Sequence, residues 1–163
     1  MRGMSLIVKN TTRLVAGFIA LFGAYIVLYG HVTPGGGFAG GVIVAGALVL
    51  VVLAFGERFS REVISHEVVR TSDAVGALAF LGVALFGYLA PNAGAFFANF
   101  SDFLGTPGNL LSAGTIPISN LAIGVKVGAG LFGVFLALAL FRRHGEQRLM
   151  VPDAGRLDSE ASR

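Results

Sequence analysis

One lysine, Lys126, stands inside an apolar stretch long enough to cross a bilayer, Ile116–Phe141 (IPISNLAIGVKVGAGLFGVFLALALF). A spanning helix needs about 20 mostly apolar residues, and an ionisable group within one is rare and tied to function. Lys126 lies ten residues past Ile116 and sixteen before Arg142. At 1.5 Å per residue that is about 15 Å from one end and about 24 Å from the other. With the third apolar stretch taken to begin at Ala74, no Asp or Glu falls inside any span, and Asp73 and Asp102 lie outside. Three arrangements then remain for the ammonium. It snorkels along its own stem, it lines a watery cavity, or it pairs with a carboxylate of another subunit. The expectation carried forward is the last. The absence of buried acids also argues against a self-sufficient cation exchanger, because such carriers depend on buried Asp, Glu or His relays.

The second candidate is the break GHVTPGGG at Gly30–Gly37. His31 stands at its start, where an imidazole is either structural or proton-responsive. Thr33 is expected to cap, and Pro34 to start, the next helix. Gly35, Gly36 and Gly37 let the backbone bend or be approached closely, and their amides suit an anion or carboxylate. The run Gly35–Gly40 matches G-x-G-x-x-G in form. With no strand before it and a spanning helix after it, it is not a dinucleotide site. Gly37, Gly41 and Ala45 share one helix face, as do Gly124 and Gly128, and small residues at that spacing mark close helix packing. The Gly124–Gly128 face points away from Lys126, so packing and the ammonium occupy different sides. No two histidines have ligand spacing, and the chain has no cysteine. No metal site, catalytic residue or cofactor is expected.

These groups must be positioned by spanning helices. Of 163 residues, 55% are hydrophobic and 13% charged, and the apolar residues come in long blocks, as in an integral membrane protein. The expected fold is an all-α membrane protein with about four transmembrane helices, near 8–30, 37–55, 74–90 and 117–141. These make one membrane domain over 1–143, with a mobile cytoplasmic tail over 144–163. Glu57–Asp73 reads as a short interfacial helix. Ala93–Thr115, with Phe96, Phe97, Phe100 and Phe103, reads as an amphipathic interfacial helix or a docking surface. Lys and Arg cluster at the amino end, the second connection and the carboxyl end. The positive-inside rule then places both termini in the cytoplasm. The net charge of +3 reads as topology and lipid-headgroup contact rather than nucleic-acid binding.

HVTPGGGFAGGV at His31–Val42 and GTIPISNLAIGVKVGAGLFG at Gly114–Gly133, with the TTRL…LFGAY opening, resemble the MnhB (MrpB) subunits of the Mrp family of multisubunit sodium/proton antiporters. The resemblance covers nearly all of Leu6–Arg142. It implies a small helical subunit, without redox centre or catalytic role, in a cell-membrane complex that exchanges Na⁺ for H⁺ with sibling subunits as partners. It also implies functional weight at Pro34, Phe38 and Lys126. Ala39 stands where the family is expected to carry Gln. Membrane-bound hydrogenases contain similar subunits, so the membrane arm of a redox-driven complex is the alternative. A self-assembling channel is a further rival.

Overall fold

The computed structural model describes residues 4–56, 65–89, 95–99 and 113–150, with side chains of the last stretch through 139. Four helices make it up: α1 Leu6–Leu28, α2 Gly36–Phe55, α3 His66–Leu89 and α4 Ile116–Met150. All four are long and apolar enough to cross a membrane, the last over Ile116–Ala139. A compact unit ends at Gly133, and the rest of α4 belongs to a second unit.

Local chemistry sets the helix starts. Ser5 caps α1 by accepting from the Val8 N–H, and Ser65 does the same for the Val68 N–H at 3.3 Å, with Glu67 in the first turn of α3. A hydroxyl that satisfies an orphan amide, with an acid at the positive helix end, is a start signal. The third helix therefore begins at His66 rather than Ala74. Residues 66–73 are its first two turns and not part of a separate interfacial helix. Residues 57–64 lie outside the described residues.

Contact pairs fix helix direction. Gly37 and Gly41 of α2 lie against Asn120 and Gly124 of α4, a constant offset of 83, so these helices run parallel. Val69, Asp73 and Gly76 of α3 meet Gly133, Gly130 and Lys126 of α4. The paired numbers sum to 202, 203 and 202, so α3 and α4 run antiparallel. The α1–α2 hairpin closes through Gly23 and Gly40, and the Met4 N–H donates to the Ala54 carbonyl at its far end. Beside it, Arg13 stacks over Phe55, 5.7 Å from the ring centroid. The result is an up-down-up-down arrangement with α4 touching each other helix.

Residues 95–99 form a turn; residues 100–112, where most of the expected amphipathic helix or docking surface falls, lie outside the described residues. The Phe97 N–H donates to the Ala84 carbonyl, and the rings of Phe97 and Phe96 pack on Phe80 and Tyr88. Phe97 holds a left-handed φ of +59° there. Asn99 Oδ1 accepts from the Thr115 N–H, tying this turn to the start of α4. At the other end, the helix continues to Met150, beyond residue 143 where the polar tail was expected. Residues 151–163 lie outside the described residues.

Candidate functional site

Lys126 has its carboxylate within the same chain. Its Nζ donates to Asp73 Oδ1 at 2.5 Å. The expected partner on another subunit is thus corrected. The reason is physical: hydropathy placed Asp73 outside the third span, but helical hydrogen bonding extends α3 past it toward the Ser65 cap. Asp73 lies seven residues into α3, about 10 Å along it, and Lys126 lies about 15 Å into α4. The pair therefore sits about two turns in from the nearer end of α3, opposite the stretch of α4 that is apolar enough to span.

Glycines make that meeting possible. A Cβ on Gly76 would come within 3 Å of the Lys126 backbone and Cβ, so α3 and α4 touch almost main chain to main chain. Gly130, one turn beyond Lys126, leaves room for the carboxylate, since a Cβ there would stand 3.1 Å from Asp73 Oδ1. The pair is only half covered by its own chain: the side chains are 46% and 37% exposed. An ammonium has three donors and a carboxylate has about four acceptor sites. Among the described residues one hydrogen bond joins them, which leaves further donors and acceptors for other partners.

The glycine turn forms a separate constellation. Gly35 is the residue before α2, with φ +139°, and Gly36 has φ +67°, conformations that L side chains rarely adopt. The expected capping by Thr33 and helix start at Pro34 are corrected. Thr33 Oγ1 donates back to the Tyr29 carbonyl at 3.0 Å, closing α1 instead. Pro34 is exposed in the turn. The amide of Gly37 is satisfied from elsewhere: it donates to Asn120 Oδ1 at 3.3 Å. His31 is half-buried beside this turn, and Phe38 points outward, 64% exposed. Gly41, Gly124 and Gly128 are buried: a Cβ on Gly41 would lie 2.8 Å from the Gly124 carbonyl oxygen. On α4, then, Gly124 and Gly128 address α2 while Lys126 addresses α3.

Two residues escaped the sequence reading, Asp73 and Asn120. Each carried a signal. Ser65 with Glu67 marks a helix start that would have enclosed Asp73. Asn120 is an amide inside an apolar run, where a polar group needs a partner. We predict that Asn120→Ala lowers the unfolding free energy of the detergent-solubilised chain by about 1 kcal/mol, the usual size for a hydrogen bond between membrane helices. A denaturation midpoint measured against the parent chain checks this. Among the described residues, no three His, Cys, Asp or Glu side chains are grouped to hold a metal ion.

Comparison with known proteins places this geometry. The chain is 40% identical over 114 residues to an uncharacterized protein of Methanocaldococcus jannaschii, covering 67% of this chain and 42% of that one. It is 39% identical over 87 residues to the B-type subunit of the Na⁺/H⁺ antiporter of Bacillus subtilis, covering 53% and 61%. The chain thus spans less than two thirds of either relative. A chain in the solved structure of the membrane-bound sulfane sulfur reductase, an archaeal respiratory membrane complex, superposes with a TM-score of 0.66 at 34% identity. That match covers 80% of this chain and 56% of the other. A family model described as a domain related to the MnhB subunit of Na⁺/H⁺ antiporters matches residues 7–133. With that match taking in nearly all of α1, the turn, α2, α3, the first part of α4 and the ion pair, the chain is a multi-pass membrane protein that belongs to the MnhB-related family.

Proposed function

We propose that the chain is an accessory subunit of a multisubunit Na⁺/H⁺ antiporter in a prokaryotic cell membrane, with both termini cytoplasmic. It packs with sibling subunits and supports the sodium path rather than catalysing exchange alone. The observation that carries this reading is the Lys126–Asp73 pair, which joins two helices long and apolar enough to span a membrane and is half exposed at the side of the chain. Lipid tails offer no hydrogen bonds to such a pair, so a lateral neighbour or a watery path must. Family membership supports Na⁺ and H⁺ as the ions of the complex.

The test is genetic and biochemical. Deleting the chain in its host is expected to lower sodium tolerance and abolish Na⁺-driven dissipation of a pH gradient in everted vesicles. The wild-type chain restores both. Vesicles that keep full exchange without it would overturn the reading. The alternative, a membrane arm of a redox-driven complex, is favoured by the structural likeness to the respiratory complex. Iron–sulfur absorption in the complex purified through this chain would select it.

A further inference from the structure

The direction and register of the helices place the ion pair on a definite face. At 100° per residue, Ile123 and Val127 lie about 60° and about 100° round α4 from Lys126, between its contacts with α3 and with α2. On α2, Phe38 and Val42 each lie one residue, about 100°, beyond Gly37 and Gly41, which meet α4. The two helices are parallel, so these rotations bring Phe38, Val42, Ile123 and Val127 to the same side. Asp73 reaches Lys126 from that side of the α3–α4 seam. The opposite side is different in kind. There a groove of about 400 Å³ is lined by α1, α2, α3 and α4, and among the described residues Ser72 is the one polar side chain in its wall. Hydrocarbon suffices for the groove; it does not suffice for the pair.

We propose that the face formed by Phe38, Val42, Ile123, Val127 and the Lys126–Asp73 pair docks a helix of a different membrane subunit. That helix presents uncharged hydrogen-bonding side chains, not a lone carboxylate, at the depth of Lys126. The argument is charge complementarity. Lys126 alone would demand an acid from its neighbour, but paired with Asp73 it presents no net charge. A single acid or base opposite the pair would itself be stranded in a medium of low dielectric constant. Hydroxyl or amide groups meet the spare donors and acceptors at no such cost. The apolar residues around the pair give the helix its packing surface. This deepens the subunit reading above and rests on it for the existence of a neighbour.

The chain has no cysteine, so an introduced thiol is unique within it. Val42→Cys and Val127→Cys, labelled with a benzophenone maleimide in native membranes containing the whole complex, are expected to yield photoadducts with a different polypeptide. Adducts of twice the chain mass, or with lipid alone, overturn the proposal. The chemistry is tested in the Val127→Cys background. Lys126→Gln with Asp73→Asn keeps hydrogen-bonding groups and is expected to hold the adduct yield within about threefold. Lys126→Leu with Asp73→Leu orphans the neighbour's polar groups and is expected to lower it on the order of tenfold. A tenfold loss in the amide pair would mean that the neighbour reads charge, and would also overturn the proposal. Adduct formation does not depend on which ion the complex carries. A wrong face therefore leaves the sodium phenotype intact, and a wrong ion leaves the adducts intact.

Discussion

Lys126→Ala is expected to destabilise the chain by about 2–3 kcal/mol, below the cost of breaking a fully buried ion pair because both side chains are about half exposed. The cost arises because the Asp73 carboxylate loses its hydrogen-bonded partner on the flank of a largely apolar helix. Asp73→Ala is expected to cost a similar amount by stranding the ammonium. Removing both charges, as in Lys126→Met with Asp73→Leu, is expected to bring the isolated chain back to within about 1–2 kcal/mol of wild type, since an apolar contact of similar volume can replace such a pair. Unfolding midpoints of the four detergent-solubilised chains check this as a double-mutant cycle. Singles no less stable than the double would show that Lys126 snorkels free of Asp73 in the membrane. The same double replacement is expected to fail in docking while succeeding in folding, so the two measurements separate the roles of the pair.

The second large effect is expected at the closest helix contact. A Cβ on Gly37 would overlap the carbonyl of Asn120, and neither group is a flexible side-chain end. Gly37→Val therefore pushes α2 and α4 apart, breaks the hydrogen bond to Asn120 and separates Gly41 from Gly124 one turn on. A strained substitution in a packed core costs about 1–3 kcal/mol; with backbone as the obstacle and a hydrogen bond lost besides, the upper part of that range or more is expected. Gly46, on the same helix, has open space where a Cβ would go. Gly46→Val is expected to change stability by less than about 0.5 kcal/mol. Comparing accumulated folded chain and unfolding midpoint for the two valines isolates the effect of contact from that of helix propensity.

Much of the architecture is legible in the chain because a bilayer imposes length and apolarity on whatever crosses it. Leu14–Tyr29, Phe38–Phe55 and Ile116–Phe141 announce helices α1, α2 and α4 by those two properties alone. The small residues Gly37, Gly41, Gly124 and Gly128 announce that helices approach closely, although spacing does not say which helix meets which. The boundary of α3 was harder. Apolarity begins at Ala74, but a helix is held by backbone hydrogen bonds that do not depend on side-chain polarity, and the Ser65 cap starts it earlier. That eight-residue difference hid the partner of Lys126. The link between Gly37 and Asn120 was hidden for another reason. It joins residues 83 apart, and only the parallel docking of α2 on α4 brings them together.

That link also bears on biogenesis. When α1 and α2 leave the ribosome, the Gly37 amide at the start of α2 lacks the Asn120 acceptor, which has yet to be made. At about 5–20 residues per second, the 83 residues added after Gly37 up to and including Asn120 take roughly 4–17 s to translate. For that interval the nascent hairpin must keep its glycine end near water or in the insertion machinery. Nascent chains truncated before Asn120 should therefore remain attached to the translocon, and those extended past Gly133 should partition into lipid.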